Sequence, residues 1–351
     1  MPKPQILRSP AQLRDHGLVP PERVDALDEV ARRYAVALPP ALAALIDRGD
    51  ARDPIARQFV PDACELEARP QELADPIGDD AHSPLPGIVH RYPDRVLLKL
   101  TQICAVYCRF CFRRETVGKP DALPRAALDA ALDYIRSRAG IWEVILTGGD
   151  PLVLSAGRLR EVMKALAAID HVKVVRIHTR VPVAEPERIS AELVRAMKAK
   201  GKAVYVAVHV NHPRELTAAA RAAIARIADA GMPLLGQSVL LAGVNDTPEV
   251  MSALMRALVE CRIKPYYLHH ADLAPGTAHL RTDIETGQEL MRALRGHASG
   301  LCQPTYVLDI PGGAGKSPIG PHYLERVGAN GSARYVVEDF RGQRHHYPPP
   351  L

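Results

Sequence analysis

The most regular feature of the chain begins near His90, where short apolar runs alternate with longer amphipathic stretches. The runs are rich in Val, Ile and Leu and predict buried strands, while the stretches repeat apolar residues at the spacing of one helix face. The predicted strands are Val96–Thr101, Glu143–Leu146, Val172–His178, Ala203–Val210, Leu234–Leu241 and Pro265–His269. The predicted helices are Ala122–Arg138, Arg158–Ala168, Glu187–Ala199, Thr217–Ala230, Thr247–Glu260 and Gln288–Leu294.

This alternation of strands and helices predicts a parallel sheet with helices on its outer face. Six such units predict an α/β fold, a partial (β/α)6 barrel of the TIM type, with reactive side chains at the carboxyl ends of the strands. Residues 1–85 have a helical pattern with Pro at helix starts and Gly past helix ends, which predicts an N-terminal helical extension. The barrel is expected over residues 86–305 and a C-terminal arm over residues 306–351.

Charge and composition narrow the range of functions. The net charge of +5 is spread over helices beside acidic residues, and aromatic residues make up only 5% of the chain, so we expect no nucleic-acid partner. No apolar run has the length of a membrane span, and the N-terminus lacks the pattern of a secretory signal. Six cysteines, three of them scattered singly, do not form a disulfide framework. We therefore expect a cytoplasmic protein with no membrane partner.

Three cysteines are concentrated directly after the first predicted strand, where Cys104, Cys108 and Cys111 form the pattern C-x3-C-x2-C. Three thiolates this close suit an iron–sulfur cluster in which one iron has no protein ligand and is open to chemistry. A structural zinc site would need a fourth Cys or His nearby, and the nearest histidine, His90, lies before the strand. Chance clustering of buried cysteines is the third interpretation.

The second predicted strand ends in the sequence T-G-G-D-P, which contains Gly148, Gly149 and Asp150. Paired glycines let backbone N–H groups approach a ligand closely, and they could receive a carboxylate or a ribose edge. A tight turn is the simpler interpretation of an isolated G-G-D-P sequence. The position of this turn, one strand–helix unit after the cysteines, favours a binding role.

A glycine-rich segment near the C-terminus, D-I-P-G-G-A-G-K, ends at Lys316. It matches the end of a phosphate-binding loop, but the first glycine of that motif would fall on Ile310, so we do not expect ATP binding. A lysine on a flexible glycine-rich arm instead suits a Schiff base with an aldehyde cofactor. A solvated lysine in a glycine turn is the simpler interpretation. The arginines and phenol of Arg91, Tyr92 and Arg95 could bind the phosphate of such a cofactor or could pair with surface acids.

The order of the motifs, with the cysteines on the first loop and Gly-Gly-Asp on the second, resembles the radical S-adenosylmethionine enzymes. From about Pro84 to about Gly342 the chain is similar to the lysine 2,3-aminomutase family, which uses a 4Fe–4S cluster, S-adenosylmethionine and pyridoxal 5′-phosphate. The shared motifs are H-R-Y-P-D-R, C-x3-C-R-x-C-x-R-R, G-G-D, R-I-H-T-R, H-V-N-H-P-x-E, Q-S-V-L-L-x-G-V-N-D, P-Y-Y-L and D-I-P-G-G-x-G-K.

The resemblance implies a role for each matching residue. Three cysteines would hold the cluster and generate the radical: Cys104, Cys108 and Cys111. The catalytic lysine that carries pyridoxal phosphate would be Lys316, and the residues that bind its phosphate would be Arg91, Tyr92 and Arg95. The S-adenosylmethionine site would include Gly148, Gly149, Asp150, His209 and Gln237, although a core histidine is an equal interpretation of His209. Substrate would be bound by Arg113 at its α-carboxylate and by Asp272 and Asp309 at its distal ammonium.

The implied activity is a radical-mediated migration of the α-amino group of L-lysine to the β-carbon, which gives β-lysine. It implies an amino-acid substrate, an electron donor of the flavodoxin or ferredoxin type, and a homo-oligomer. Longer members of the family carry a cysteine-rich zinc segment at the C-terminus, partnered by a cysteine after V-N-D. Here Thr247 follows that motif and the final residues contain no cysteine, so no zinc site is expected.

The sequence leaves the substrate branch open. Phe110 and Phe112 resemble the branch that makes (R)-β-lysine for elongation factor P, whereas the intact D-I-P-G-G-A-G-K resembles the free-lysine branch. An aminomutase of another amino acid such as arginine, a radical enzyme without pyridoxal phosphate, and a non-enzymatic iron–sulfur protein are three further interpretations. A non-enzymatic protein would not explain Lys316 together with the arginine pair.

Overall fold

A computed structural model describes residues 5–119, 122–327 and 334–348. Its strands are β1 Ile88–Tyr92, β2 Arg95–Thr101, β3 Glu143–Gly148, β4 Val174–Thr179, β5 Ala203–His209, β6 Leu234–Val239, β7 Ile263–His269, β8 Thr305–Ile310, β9 Gly315–Pro318, β10 Leu324–Val327, β11 Arg334–Glu338 and β12 Arg344–Tyr347. Its α-helices are α1 Pro10–Asp15, α2 Val24–Arg33, α3 Pro40–Ala43, α4 Ala56–Phe59, α5 Arg125–Arg136, α6 Ala156–Ala167, α7 Val181–Ala184, α8 Ala191–Ala196, α9 Ala218–Asp229, α10 Pro248–Glu260 and α11 Ile284–Leu294.

The main sheet has nine strands that follow one another in chain order, from β1 to β9. Strands β2 to β8 are parallel, whereas β1 and β9 pair antiparallel at the two ends. The sheet is a nearly closed barrel, and the prediction of a partial barrel is confirmed. All six predicted strands are present. A further parallel strand, β8, was not predicted as a barrel strand because its short apolar run passes directly into the glycine-rich segment.

Helices lie at all six predicted places, with ends set by local signals. The predicted helix Glu187–Ala199 is shortened to α8, because residues 186–188 form a separate 3₁₀ turn and Ser190 caps the first turn of α8. Helix α5 begins only after Pro124, since the residue before a proline is disfavoured in the helical conformation.

The N-terminal segment shares its hydrophobic core with the barrel and does not form a core of its own. Apolar side chains of this segment belong to the same hydrophobic core as the strands and helices of the barrel, among them Leu13, Leu27, Val30, Leu42 and Phe59. Backbone hydrogen bonds also join the segment to the cysteine loop, from Tyr107 N–H to the Ala37 carbonyl and from Arg109 N–H to the Gln58 carbonyl. The extension therefore helps to shape the carboxyl end of the barrel.

The predicted C-terminal arm, residues 306–351, contains most of β8 and also β9, which folds back on β8 as an antiparallel hairpin. In this hairpin Asp309 and Lys316 are direct partners across the two strands. Strands β10, β11 and β12 form a separate antiparallel sheet. Among the helices that the structure describes, none combines the length and apolar character needed to cross a membrane.

Candidate active site

A cavity of about 620 Å³ occupies the interior of the barrel. It is lined by the cysteine loop at the carboxyl end of β2 and by the first residues of β2, β3 and β4 at the opposite end. The predicted site residues that line it are Cys104, Cys108, Cys111, Gly149, Asp150, His209, Gln237, Arg91, Tyr92, Arg95, Arg113, Asp272, Asp309 and Lys316. Gly148 is the exception, because it lines a neighbouring cavity of about 390 Å³ that also contacts Arg113.

The cysteine loop carries three thiols that line one wall of the cavity. Burial raises the pKa of all three thiols, that of Cys111 to about 11, and the nearby thiols add to the shifts of Cys104 and Cys111. In the metal-free protein these thiols are therefore protonated, and binding of iron must displace their protons. Soft sulfur ligands on one loop are the donor set that an iron–sulfur cluster requires.

The Gly-Gly-Asp turn supports the cysteine loop directly. Gly149 N–H donates to the Thr101 carbonyl at 2.5 Å and Asp150 N–H to the Ile103 carbonyl at 2.9 Å. A Cβ atom at Gly149 would overlap the Ile103 carbonyl, so only glycine allows this approach. The sequence leaves open whether N–H groups of this turn reach a ligand, and in the structure the N–H groups of Gly149 and Asp150 hold the loop.

The Asp150 carboxylate is also fully engaged within the protein. It accepts hydrogen bonds from the N–H groups of Leu152, Arg180 and Val181 and from the Thr179 hydroxyl. Burial raises the pKa of Asp150, while these donors act in the opposite direction. Its contacts make it the anchor between the ends of β3 and β4.

A buried ionic network lies behind the cysteine loop. Glu65, which is fully buried, accepts hydrogen bonds from Arg109 Nε at 2.9 Å and from Arg114. Arg114 also lies 3.6 Å from the centre of the Tyr34 ring. The two arginines depress the pKa of Glu65 against the opposing effect of burial. The network therefore contains a charged carboxylate that pairs the N-terminal segment with residues on both sides of Cys111.

The wall formed by β8 and β9 carries the candidate cofactor lysine. Lys316 Nζ lies 2.5 Å from Asp309 Oδ1 and 2.7 Å from Oδ2. The backbone N–H of Lys316 donates to the Tyr92 hydroxyl at 2.8 Å. Arg95 lies against the Tyr92 ring, with its guanidinium carbon 3.8 Å from the ring centre. The two ends of the main sheet, β1 and β9, thus meet at Tyr92.

Two carboxyl groups face Lys316 with very different acidities. Contacts from His269 and Lys316 lower the pKa of Asp309 to about 2 although the group is buried. Burial and the charge of Asp309 raise the pKa of Asp272 to about 7. His269 Nδ1 lies 3.5 Å from Asp309 Oδ2, and its Nε2 lies 3.5 Å from Gln237 Nε2. His269 therefore links Asp309 to Gln237.

Arg113 and Arg91 share one carboxylate. Arg113 donates from Nε and Nη2 to Asp79 Oδ2, at 3.0 and 2.7 Å, and Arg91 Nη2 donates to Asp79 Oδ1 at 3.2 Å. Arg113 Nη1 also lies 3.4 Å from the Thr147 hydroxyl. The guanidinium groups lower the pKa of Asp79 despite its burial. Both arginines line the cavity and share this one carboxylate, which offsets one of their two positive charges.

Two histidines near strand ends lie among cations and are partly buried. Burial and nearby cations hold the pKa of His178 and of His209 well below the usual value. His209 Nε2 lies 3.2 Å from Asn211 Oδ1, and its ring is 5.7 Å from that of Phe110. In the described part of the chain, His178 Nε2 is buried without a hydrogen-bond partner although the ring lines the cavity. His178 Nε2 is therefore a buried polar atom with an unused hydrogen-bonding capacity at the cavity wall.

Comparison with known proteins places this site in a family. Residues 98–254 match the Radical SAM superfamily, and residues 291–351 match the family described as Lysine-2,3-aminomutase. The L-lysine 2,3-aminomutase of Clostridium subterminale is 42% identical over 331 residues, which is 94% of this chain and 79% of that protein. The chain belongs to the lysine 2,3-aminomutase family. Its cavity is therefore that of a radical aminomutase, an isomerase that acts on a small molecule.

Relatives with a similar sequence identity to this chain do not all carry the same name. The glutamate 2,3-aminomutase of Clostridioides difficile is 39% identical over 305 residues, 87% of this chain and 72% of that protein. A radical SAM methyltransferase from Sphaerobacter thermophilus superimposes with a TM-score of 0.43 at 21% identity, covering 63% of this chain and 68% of that one. Family membership thus fixes the type of chemistry and leaves the amino acid to be argued from the site.

Membership of the radical SAM superfamily implies a 4Fe–4S cluster and S-adenosylmethionine. The three cavity-facing thiols fit the cluster, because they lie on one loop beside a space large enough for a cofactor. The roles of the individual residues around S-adenosylmethionine, including His209 and Gln237, remain predictions.

Sequence reasoning assigns no role to four residues that shape this aminomutase site: Asp79, His178, Arg180 and His269. Asp79 lies within residues 1–85, for which the sequence predicts only an N-terminal helical extension. His178 and Arg180 belong to the motif R-I-H-T-R, and His269 follows P-Y-Y-L, so motif membership is the one signal that marks them. Their partners are distant in sequence and become visible only in the fold.

Proposed function

We propose that this aminomutase converts L-lysine to β-lysine by moving the α-amino group to carbon 3. The observation that supports the choice of lysine is the contact between the primary amine of Lys316 and the Asp309 carboxylate. An alkylammonium group already lies where the distal ammonium of a lysine substrate is expected to bind. Asp272 lies in the same cavity and supplies the second carboxylate.

The charge arrangement favours lysine over an acidic amino acid. Two carboxylates in a partly desolvated cavity stabilise an ammonium and repel the side-chain carboxylate of glutamate. Arg113 supplies a guanidinium for the α-carboxylate at the same cavity, beside Phe112. A cation-binding end and an anion-binding end therefore match the two ends of lysine.

The proposal includes pyridoxal 5′-phosphate bound through Lys316. Arg91, Tyr92 and Arg95 lie on β1 and at the start of β2 and line the same cavity as the lysine, which supports their role at the phosphate. When bound, the cluster and S-adenosylmethionine supply the radical that removes a hydrogen atom from carbon 3, and pyridoxal phosphate supplies the aldehyde that carries the migrating nitrogen.

The residues of the chain perform the binding and positioning. Arg113 orients the α-carboxylate, and Asp309 and Asp272 hold the distal ammonium and so select the length of the substrate. Lys316 would hold pyridoxal phosphate through its amine, and that amine must give up its contact with Asp309 before the substrate ammonium can take its place. The barrel wall excludes water from the reacting carbons.

Three further features belong to the proposal. The cluster must receive an electron from outside the chain, for which a flavodoxin or ferredoxin is suited. Free thiols at all six cysteines suit the reducing cytoplasm. A homo-oligomer is proposed from the family resemblance alone.

The decisive experiment is anaerobic reconstitution of the protein with iron, sulfide, pyridoxal phosphate, S-adenosylmethionine and a reductant. Lysine, arginine and glutamate are then supplied separately, and the products are identified by NMR. We expect β-lysine from lysine and no β-amino product from glutamate. A β-amino product from arginine or glutamate but not from lysine would overturn the choice of substrate, and no β-amino product from any of them would overturn the proposal.

The cofactor assignment has its own test in the absorbance of protein-bound pyridoxal phosphate. The band should appear in the wild type and be absent from Lys316→Ala. Lys264→Ala is the matched control, because Lys264 hydrogen-bonds to the carbonyls of Leu301 and Gln303 outside the cavity. A band that persists unchanged in Lys316→Ala contradicts the assignment.

A further inference from the structure

The side chain of Arg180 contacts the sulfur of one of the three cluster cysteines. Arg180 directly follows β4, and its Nη1 lies 3.3 Å from Cys108 Sγ. Its Nη2 donates to Gln58 Oε1 at 2.8 Å and to Glu215 Oε2 at 2.5 Å. The residue is 6% exposed and Glu215 is fully buried. A cationic donor to sulfur and a buried counter-charge thus form one unit beside Cys108.

Arg180 is held in this position from several directions. Its backbone N–H donates to Asp150 Oδ2 at 2.6 Å, so the residue is tied to the Gly-Gly-Asp turn. Its guanidinium carbon lies 4.7 Å from the ring centre of Phe59 and 5.5 Å from that of Phe110. Any rotation of the guanidinium away from Cys108 would leave a buried carboxylate without its cation, which is strongly unfavourable.

Glu215 is equally fixed. Its Oε1 accepts the backbone N–H groups of Asn211 and His212, both at 2.9 Å, after the end of β5. Gln58, from the N-terminal segment, accepts from Asn211 Nδ2 at 3.1 Å and so closes the network. Among the hydrogen bonds of the described residues, Arg180 provides the one side-chain donor to a sulfur of the three cluster cysteines.

We propose that Arg180 is a positioning residue that raises the reduction potential of the cluster through its hydrogen bond to Cys108, and that Glu215 offsets this effect. Reduction adds one negative charge to the cluster. A donor and a positive charge at a ligand sulfur stabilise that added charge, whereas a buried carboxylate destabilises it. The proposal depends on the cluster of the radical SAM superfamily and is independent of which amino acid the enzyme rearranges.

Chemically, the pair places the cluster potential under the control of two residues that lie outside the set of three cysteine ligands. The electron that enters the cluster must later pass to S-adenosylmethionine. A potential that is too high would disfavour this second transfer, and one that is too low would disfavour reduction by the donor. Glu215 therefore limits the positive shift that Arg180 alone would produce.

The test is a redox titration of the reconstituted full-length protein, followed by the EPR signal of the reduced cluster, without S-adenosylmethionine, pyridoxal phosphate or substrate. Three variants are compared at equal iron and sulfide content: Arg180→Met, Glu215→Gln, and the double variant Arg180→Met with Glu215→Gln. We expect the midpoint potential of Arg180→Met to shift to more negative values and that of Glu215→Gln to more positive values.

The double variant guards against misfolding, because it removes both charges and leaves no unpaired buried ion. It lacks the hydrogen bond to sulfur, so its potential should be more negative than that of the wild type. The matched control is Arg176→Met with Glu143→Gln, a buried Arg–Glu pair with a 3.0 Å contact between β4 and the start of β3. Its potential should equal that of the wild type.

A purely structural role would lower iron content in the variants without moving the two single-variant potentials in opposite directions. Equal potentials in the wild type and the double variant at full iron content would overturn the proposal. A negative shift in Glu215→Gln would do so as well.

Discussion

The two walls of the active-site cavity differ in how deeply their charged side chains are buried. Behind the cysteine loop, Glu65 and Glu215 are fully buried and each is paired with arginines that are at most 6% exposed. At the opposite wall, Lys316 is 29% exposed and contacts the same carboxylate that its substrate is proposed to use. Arg113 similarly faces the cavity while it is paired with Asp79.

This difference follows from what each wall has to do. Under the proposed function, the cluster loop keeps its three sulfurs in place through every cycle, which suits ion pairs that are withdrawn from water. The substrate wall would release each partner when a molecule enters, which suits ion pairs that occupy the place of the ligand. The following predictions test this contrast, beginning with the largest expected effect.

Replacement of Glu65 by Gln should lower the free energy of unfolding by about 3–5 kcal/mol, because it leaves Arg109 and Arg114 as uncompensated buried cations. Denaturant unfolding of the cluster-free protein measures this loss. The matched control is Glu67→Gln, two residues away on an exposed side chain, for which the change should stay within about 0.5 kcal/mol. Equal stability of the two variants would contradict a permanent pair.

Replacement of Gly149 by Ala should destabilise the cysteine loop by about 1–3 kcal/mol, because the new methyl group overlaps the Ile103 carbonyl. Reconstitution should then give less than the full iron content per chain. Gly157→Ala serves as the control, since the space around Gly157 in α6 is open enough for a methyl group. A fully loaded Gly149→Ala protein would show that the turn does not hold the loop.

Lysine binding should weaken as the pH falls below about 7, because the Asp272 carboxyl, whose pKa is raised to about 7, is protonated and uncharged below that value. The KM for lysine should rise by up to about tenfold for each pH unit, which corresponds to about 1.4 kcal/mol. Steady-state rates measured between about pH 6 and about pH 8 provide the test. Asp272→Asn should have a higher KM without this pH dependence, and an unchanged pH profile in that variant would exclude Asp272 as its source.

The smallest effect is expected for Asp79→Asn. The amide keeps an acceptor for Arg113 but removes the charge that competes with the α-carboxylate of the substrate. The KM for lysine should fall two- to fivefold, or by about 0.5–1 kcal/mol. Comparison with wild-type KM at one pH measures it, and a rise in KM would show that Asp79 only orients Arg113.

Sequence reasoning is strongest where chemistry and local pattern coincide. The strands before Cys104 and Gly149 are predictable because apolar runs end at these motifs, and Lys316 is marked by its glycine-rich segment. The Gly-Gly-Asp turn shows where local pattern is insufficient, since whether its N–H groups donate to a ligand or to the cysteine loop depends on how two loops pack.

The buried ion pairs could not be predicted at all. Glu65 and Arg109 are separated by 44 positions, and Arg180 and Glu215 by 35. No periodicity or local motif connects residues at such distances. In the sequence these arginines resemble ordinary surface charges, whereas in the structure they are buried close to the cysteine loop. Only the fold determines which arginines are buried.

The direction in which the Lys316 side chain points depends on the length of the turn between β8 and β9. Asp309 and Lys316 are partners across the hairpin, so both side chains project from the same face of the sheet. Insertion or deletion of a single residue between them would turn the lysine to the opposite face. A working variant of this segment can therefore change its residue types but not its length, and an engineered aminomutase with a new substrate should keep the number of residues in this turn unchanged.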